Sequence, residues 1–217
     1  MRTIDLDTWP RRKHFEFFNQ FDYPHIDTCS RVDITATYSR ARELGISINI
    51  ALIYCLARAA NEIPAFRWRI RDGQVVEHDT VQPSASVLGP GNLFSFCTMP
   101  YDPDFQSFAQ TARELIQYRK VHPTLEDEPG QDDLLFLSCI PWIDFTFISH
   151  PIHMHPVDSV PRITWGKFTT RDGRTEMPVA VQVHHGLMDG YHVGEYYTGL
   201  QRLLDTPASW MTRTTAA

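Results

Sequence analysis

The feature that most constrains the fold is an apolar run that ends abruptly in two histidines. Residues Met177 to Val183 are almost entirely apolar, which is typical of a buried strand. The run stops at His184-His185, and a helical pattern begins at about His192. We therefore expect the two histidines at the edge of a sheet, held in place by the strand, with Asp189 in the turn that leads into the last helix.

The rest of the chain interleaves strands and helices, and hairpin signals are prominent. Asp72-Gly73 and Asp172-Gly173 are two-residue turns typical of β-hairpins. The patterns predict helices at 37–44, 47–63, 104–121 and 192–204, and strands at 32–36, 66–70, 74–77, 93–99, 134–141, 145–149, 163–171 and 178–184. We predict an α/β fold of the α+β type, with a mixed, largely antiparallel sheet and packed helices.

Composition excludes several kinds of protein. The 217 residues are 42% hydrophobic, which is enough for a sizeable core, so we take residues 1–217 as one domain. The net charge is −6 and no basic run is present, which argues against nucleic-acid binding. No stretch reaches the roughly 18 apolar residues of a membrane span, so we expect no membrane insertion.

The chain has four widely spaced cysteines, whose redox state depends on the cellular compartment. They are Cys29, Cys55, Cys97 and Cys139, and they form no CxxC pair. In a cytosolic protein such residues are reduced and mostly buried, although spacing alone leaves a disulfide pair open. The N-terminus lacks the apolar core of a signal peptide, so we expect a cytoplasmic protein.

The histidine pair has two interpretations. An imidazole titrates near neutral pH, so a histidine fixed at a strand end suits the removal of a proton from an attacking hydroxyl or amine. The alternative is a pair of structural histidines, with Asp189 as a loop or helix-capping residue. The residue types and their spacing leave both interpretations open.

A family resemblance extends along nearly the whole chain and favours the catalytic interpretation. The segment from Gln182 to Val193 resembles the active-site signature of the chloramphenicol acetyltransferases. Further segments resemble the same family in the same order, namely Trp9 to Phe17, Asn92 to Ser95 with Pro100-Tyr101, Leu137 to Trp142, and Ile163 to Lys167.

The resemblance implies a homotrimer with each active site between two subunits, the catalytic histidine on one and much of the acceptor pocket on the other. It implies that His185 is the general base and that Ser138 stabilises the tetrahedral oxyanion. Asp189 matches an aspartate that pairs with an N-terminal arginine, here Arg11. The implied role of this pair is structural and not proton transfer. Thr164 matches a position that holds a water near the oxyanion.

The implied reaction is direct transfer of an acetyl or other acyl group from a CoA thioester to a hydroxyl of chloramphenicol or a related small molecule. No nucleophilic serine or cysteine lies beside the base, so no acyl-enzyme is required. On the donor side, Lys167 matches a lysine near the CoA phosphate, and Phe168 replaces a tyrosine that stacks on adenine. Ser47 stands where a second phosphate-binding lysine is expected, which keeps an acyl carrier protein open as the donor.

The acceptor pocket departs from the family more than the catalytic centre does. The resemblance implies that it is lined by Phe18, Phe94, Phe96, Ile148 and His150. Phe18 stands where the antibiotic-modifying members have a tyrosine, and Phe96 and His150 replace small and aliphatic residues. These changes alter both the shape and the polarity of the pocket.

Two alternative functions therefore stay open. One is a biosynthetic acyltransferase with a different acceptor, because nonribosomal peptide condensation domains, about twice this length, share the His-His-x-x-x-Asp-Gly pattern. The other is a non-catalytic homologue that binds a small apolar ligand. A metal site at His150, His153 and His155 is disfavoured by the intervening prolines, and we predict no metal.

Overall fold

The computed structural model describes residues 1–126, 128 and 130–212. The strands are β1 (Arg2–Thr3), β2 (His25–Asp33), β3 (Trp68–Arg71), β4 (Gln74–Glu77), β5 (Gln82–Leu88), β6 (Phe94–Thr98), β7 (Leu134–Cys139), β8 (Arg162–Trp165), β9 (Thr169–Arg171) and β10 (Arg174–His184). The α-helices are α1 (Arg12–Phe18), α2 (Thr35–Leu44), α3 (Ile48–Asn61), α4 (Phe105–Val121) and α5 (Gly190–Asp205). Short 3-10 turns lie at Pro64–Arg67, Pro90–Asn92 and Pro207–Ser209.

The main sheet has the strand order β2-β10-β8-β7-β5-β6, and β9 pairs with the start of β10. Strand β10 is antiparallel to β2, β8 and β9, and β5 is antiparallel to β6. Strand β7 is parallel to both β5 and β8. The predicted mixed, largely antiparallel sheet with packed helices is therefore confirmed. A smaller antiparallel sheet has the order β1-β4-β3.

One face of the main sheet forms the apolar core, because side chains alternate between the two faces along each strand. A row in register crosses the sheet through Cys97, Ala85, Leu137, Ile163 and Val181. Each member of this row is at most 3% exposed. The row belongs to the same buried cluster as the apolar residues of α3, α4 and α5.

The opposite face of the same strands is mainly polar. One row in register contains Ser84, Phe136, Arg162, Gln182 and Asp27. The next row contains Ser138 on β7 and Thr164 on β8, which are register partners. The alternation that builds the core thus also places two hydroxyls side by side on the face that carries the candidate site.

Several predicted elements end where the sequence signals place them. Helix α2 ends at Gly45, whose φ of 67° lies in the left-handed region that glycine tolerates. Helix α4 begins after Asp104, whose side chain accepts a hydrogen bond from the backbone N–H of Ser107. Asp72-Gly73 forms the tight β3–β4 turn, with both residues at positive φ.

Two predicted strands are wrong. The prediction at 32–36 fails because β2 ends at Asp33, whose carboxylate accepts a 2.8 Å hydrogen bond from the N–H of Thr35 and starts α2. The prediction at 145–149 fails because that segment is irregular, within a proline-rich connection between β7 and β8. Proline lacks the N–H that a sheet ladder requires, so repeated prolines oppose a strand in this connection.

Strand boundaries were also mispredicted elsewhere in the sheet. The predicted strand 163–171 is interrupted after Trp165, where the backbone N–H of Lys167 donates to the carbonyl oxygen of Ile143 in the β7–β8 connection at 2.9 Å. Strand β5 was not predicted, because Pro83 argues against a central strand even though polar and apolar residues alternate from Gln82 to Val87. It nevertheless pairs with both β6 and β7. Within the described ranges, no helix has the length and apolar character needed to cross a bilayer.

Candidate active site

The strand-to-helix turn after β10 fixes His184 as a buried structural residue. The backbone N–H of Gly186 donates to His184 Nδ1 at 3.2 Å, so this ring nitrogen carries no proton. His184 is 1% exposed, and its ring packs edge-on against His25 with centroids 5.2 Å apart. Burial, together with the neighbouring histidines, lowers the pKa of His184 to about 3. His184 is therefore neutral at physiological pH.

His185 is held differently and presents its ring to α1. Its backbone N–H donates to the carbonyl oxygen of Pro24 at 2.7 Å, which anchors the residue one position beyond the strand. Its ring stacks on Phe18, with centroids 3.8 Å apart and planes inclined by 12°. The Nδ1 atom is buried and makes no hydrogen bond within the described part of the chain. The residue as a whole is only partly buried.

Asp189 ties this turn to the N-terminal segment. Its Oδ2 accepts a 2.6 Å hydrogen bond from Arg11 Nη1, and its Oδ1 accepts from the N–H of Tyr191 at 3.0 Å. The Nδ1 atom of His192 lies 3.0 Å from Oδ1. Burial alone would raise the pKa of the Asp189 carboxyl, but the hydrogen bonds and the charge of Arg11 hold it well below its usual range.

Arg11 also connects Asp189 to the backbone of the neighbouring histidine. Its Nη2 lies 3.4 Å from the carbonyl oxygen of His185, at the long end of hydrogen-bond distances. The Arg11 side chain is 13% exposed and that of Asp189 is 31% exposed, so the ion pair is largely shielded from water. The same carboxylate thus caps α5 and fixes the path of the turn that carries His185.

Ser138 and Thr164 lie next to each other on the polar face of the sheet. Ser138 Oγ is 3.5 Å from Ser86 Oγ, and the two serines belong to adjacent strands. Thr164 is fully buried, and its Oγ1 lies 2.7 Å from Nε2 of His150. These groups form a hydroxyl-rich floor, which is suited to donating hydrogen bonds to a developing negative charge.

Two clefts meet above this floor. The first has a volume of about 670 Å³ and contains Phe96, Phe136, Arg162 and Thr164 among its walls. The second has a volume of about 680 Å³ and contains Ser86, Trp142 and Ile148. Both clefts are lined by three shared residues, Phe94, Ser138 and His150. Four of the five residues expected in the acceptor pocket, all except Phe18, therefore meet around Ser138.

His185 and Phe18 lie at a different place in the same chain. Ser138 is the register partner of Thr164, and Thr164 is the register partner of Ala180. His185 is thus two strands across and five residues further along β10 and its turn. With ~4.8 Å between strands and ~3.3 Å per residue, the separation from Ser138 is roughly 15–20 Å. One chain therefore contains both the turn from His184 to Asp189, which we call the base-bearing end, and the acceptor cleft around Ser138. The two lie too far apart to act together within one chain.

The predicted donor-binding residues lie after β8. Lys167 is exposed, and its backbone N–H donates to the carbonyl of Ile143 at 2.9 Å. The Phe168 ring packs edge-on against Tyr38 with centroids 6.2 Å apart, and it contacts the core. Among the described residues, no group of three or more histidine, cysteine, aspartate and glutamate side chains is arranged to hold a metal ion.

Sequence comparison assigns the chain to a known family. A sequence profile of the chloramphenicol acetyltransferase family matches residues 1–201. The chloramphenicol acetyltransferase of Streptomyces acrimycini is 31% identical over 211 residues, which cover 96% of each chain. The chain belongs to the chloramphenicol acetyltransferase family. Membership makes it an acyltransferase and confirms the resemblance noted in the sequence.

Solved structures agree with membership of this family. A chloramphenicol acetyltransferase structure superimposes with a TM-score of 0.85 and 32% identity, covering 94% of this chain and all of the other. A probable dihydrolipoamide acetyltransferase from Listeria monocytogenes gives a TM-score of 0.67 at 17% identity, with 94% and 92% of the two chains covered. The second likeness shows a shared fold, which extends beyond the chloramphenicol acetyltransferases.

Sequence reasoning missed an ion pair within the cleft of this family member. Arg162 and Asp158 both line the first cleft and form a salt bridge, with side chains 11% and 17% exposed. The Arg162 guanidinium also lies over the Phe136 ring, 5.2 Å from its centroid. Two signals were available: Arg162 is two residues before Thr164 in a strand, which places both on one face, and Asp158 is four residues before Arg162.

Proposed function

We propose that this protein transfers an acetyl group from acetyl-CoA to a hydroxyl of chloramphenicol or of a closely similar small alcohol. The observation that carries the proposal is that His185 is fixed by the Asp189–Arg11 pair while Ser138 and Thr164 form a hydroxyl floor in a cleft. These are the two parts that a direct acyl transfer requires, namely a base for the attacking group and donors for the oxyanion.

In the proposed mechanism, His185 removes the proton of the acceptor hydroxyl through its Nε2 atom. The acceptor oxygen attacks the thioester carbonyl carbon, and the carbonyl π electrons move onto oxygen. The Ser138 hydroxyl donates a hydrogen bond to this oxyanion. When the tetrahedral intermediate collapses, the carbon–sulfur bond breaks, and the leaving thiolate takes the proton from His185. The acyl group passes directly to the acceptor, so the protein forms no covalent intermediate.

The proposed assembly is a homotrimer of single-domain chains (residues 1–217), in which His185 of one subunit serves the Ser138 cleft of the next. The roughly 15–20 Å between the two residues in one chain supports this arrangement, since no side chain spans that distance. Large apolar residues are exposed near both parts of the site. Phe17 and Phe21 are at least 50% exposed and pack against Phe18, and Trp142, which lines the second cleft, is over 60% exposed. Burial of these patches between subunits would remove them from water.

On the donor side, we propose that the exposed Lys167 ammonium attracts a phosphate of CoA. The Ser47 position offers no second positive charge, so we expect weaker phosphate attraction than two lysines would give. Cys29, Cys55, Cys97 and Cys139 are all free thiols in the described part of the chain, and this supports a role in the reducing cytoplasm.

The test is release of the CoA thiol from acetyl-CoA in the presence of chloramphenicol. The wild-type protein should release thiol, and His185→Ala should lower kcat by about 10²–10⁴-fold, the usual contribution of a general base. His122→Ala is the matched control, because His122 is exposed at the end of α4 and lines neither cleft. Thiol release that is equal in wild type and His185→Ala would refute the proposed role of this histidine.

A second candidate function is acyl transfer to a more polar acceptor. The Arg162–Asp158 pair and His150 add polar groups to the first cleft, which Phe94 and Phe96 also line, and this observation favours a polar acceptor. Thiol release measured across a set of alcohols and amines discriminates the two candidates. Release with polar acceptors but not with chloramphenicol would favour the second candidate. Tight binding of acceptors without any release would instead indicate a non-catalytic binding protein.

A further inference from the structure

A hydrogen bond in the acceptor cleft joins His150 to Thr164 and has no role in the mechanism proposed above. The Nε2 atom of His150 lies 2.7 Å from Thr164 Oγ1, and both residues line the first cleft. Thr164 is fully buried, and its register partner on β7 is Ser138. His150 therefore reaches, through one hydrogen bond, the hydroxyl beside the serine at which the oxyanion is proposed to form.

His150 is held in place by the sheet below it. Its carbonyl oxygen lies 3.5 Å from Nε2 of Gln182, and the same Gln182 atom donates to the Tyr23 hydroxyl at 2.9 Å. Burial and the nearby positive charge of Arg162 lower the pKa of His150, whereas Asp27 opposes this effect. The ring is consequently neutral at physiological pH, with one protonated and one unprotonated nitrogen.

The contact limits the rotation of the Thr164 hydroxyl in either tautomer of the ring. When Nε2 is unprotonated, it accepts the hydroxyl hydrogen and leaves the oxygen lone pairs for other donors. When Nε2 is protonated, it donates to the hydroxyl oxygen and directs the hydroxyl hydrogen elsewhere. A dipole with a fixed orientation stabilises a developing charge better than one that must reorient during the reaction.

We propose that His150 is a positioning residue for acyl transfer, which acts by fixing the Thr164 hydroxyl beside Ser138. The inference rests on the proposed function, because it requires the oxyanion to develop next to Ser138. It also assigns a role to a residue that the sequence marked only as a polar replacement in the acceptor pocket. The effect is expected in kcat, since the oxyanion exists only after the acceptor has attacked.

The experiment compares thiol release from acetyl-CoA with chloramphenicol for four variants: His150→Gln, His150→Leu, Thr164→Val and the double variant His150→Leu/Thr164→Val. Glutamine places a hydrogen-bonding group near the position of the imidazole Nε2, whereas leucine has none. We expect His150→Leu to lower kcat about five- to tenfold and His150→Gln to remain within about twofold of wild type. The double variant should match Thr164→Val within about twofold, because His150 acts through Thr164.

Three results would overturn the inference. They are kcat losses that multiply in the double variant, a His150→Gln variant as slow as His150→Leu, and a change in the acceptor KM alone. Circular dichroism and thermal unfolding of each variant separate a loss of folding from a loss of positioning. If release depends on His185 but not on His150, the inference fails and the proposed function stands. If wild-type release does not depend on His185, both fail.

Discussion

The base-bearing end and the acceptor cleft belong to one sheet, yet they are constructed in opposite ways. At the base-bearing end, His184, His185 and Asp189 are each fixed by hydrogen bonds to backbone atoms or to Arg11. In the cleft, rings and hydroxyls line an open space, and much of the wall comes from the irregular segment between β7 and β8. One region is constrained by many contacts, whereas the other is constrained mainly by its shape.

This difference reflects what each region does. A base that moves by about 1 Å loses its alignment with the acceptor, and such a displacement can cost about 100-fold in rate. A pocket wall that gains or loses one methylene changes binding by only about 1–3 kcal/mol. The residues of the base-bearing end therefore indicate the type of reaction, while the residues of the cleft determine which acceptor is bound.

Within the cleft, the largest effect should come from Ser138, whose proposed role is in the chemistry rather than in the shape of the pocket. Ser138→Ala removes the proposed oxyanion donor, and we expect kcat to fall about 10²–10³-fold, or about 2.7–4 kcal/mol. Steady-state kinetics should show little change in KM or in thermal stability. Ser39→Ala is the matched control, since Ser39 is exposed on α2 and lines neither cleft. A loss smaller than tenfold in Ser138→Ala would contradict the proposed role.

The next effect tests whether the base-bearing end depends on its ion pair. Asp189→Ala should lower the free energy of unfolding by about 2–3 kcal/mol, less than for a fully buried pair because Asp189 is partly exposed. Glu16→Ala breaks the exposed Arg12–Glu16 pair and should cost at most about 0.5 kcal/mol. Equal urea midpoints for the two variants would show that the Arg11–Asp189 pair stabilises the fold no more than the exposed Arg12–Glu16 pair does.

A third effect concerns the buried histidines behind the base. Burial lowers the pKa of His184 to about 3 from an ordinary 6.5, so the unfolded chain takes up this proton first as the pH falls. The free energy of unfolding should be retained above about pH 6.5, decline by about 1.4 kcal/mol per pH unit between about pH 6.5 and pH 3, and level off below that. The pKa of His25 is also lowered by burial, which adds a slope of the same sign.

Urea unfolding between about pH 7 and pH 4.5 measures this slope. His184→Asn should flatten it, because asparagine can still accept the hydrogen bond from Gly186 without taking up a proton. His122→Asn makes the same substitution at an exposed position and is the control against which the His184→Asn slope is compared. If His184→Asn and wild type lost stability equally with falling pH, His184 would not be the group responsible.

The smallest effect should come from reshaping the cleft. Phe96 packs against Phe94 and Phe136, with ring centroids 5.7 and 6.4 Å apart. Phe96→Ala should change KM for chloramphenicol about three- to tenfold while kcat stays within about twofold, since the ring shapes the pocket and does not contact the oxyanion. Tyr118→Ala on the exposed face of α4 is the control. A change confined to kcat would place Phe96 in the chemistry rather than in the pocket shape.

Much of the fold could be predicted because local signals agree with tertiary structure in many places. Gly45, Asp104 and the Asp72-Gly73 turn each end or begin an element as their chemistry requires. Strand β5 could not be predicted, because its serines face the cleft and its proline argues against a central strand, although the ladder with β7 orders it. Tertiary pairing in this case overrides a weak local preference.

The candidate site could be predicted unevenly. The resemblance placed His185, Asp189 and Arg11, and the structure brings the last two within 2.6 Å. The Arg162–Asp158 pair was missed although Arg162 shares a strand face with Thr164, because its contact with Asp158 depends on how the connection between β7 and β8 folds. A short motif can be recognised in the sequence because its residues are close along the chain. The wall of a pocket is formed by residues that become neighbours only in the complete fold, so it is harder to predict.

Strand β10 has a consequence for the order in which the protein is built during translation. It lies between β2 and β8, so β2 cannot pair until β10 has been synthesised and has left the ribosome. The Arg11–Asp189 contact spans 178 residues of sequence, and such long-range contacts slow folding. A nascent chain that ends just before β10 therefore already contains the strands β5 to β8, which floor the acceptor cleft. In that nascent chain β2 has no partner strand, and the proposed general base His185 has not yet been synthesised.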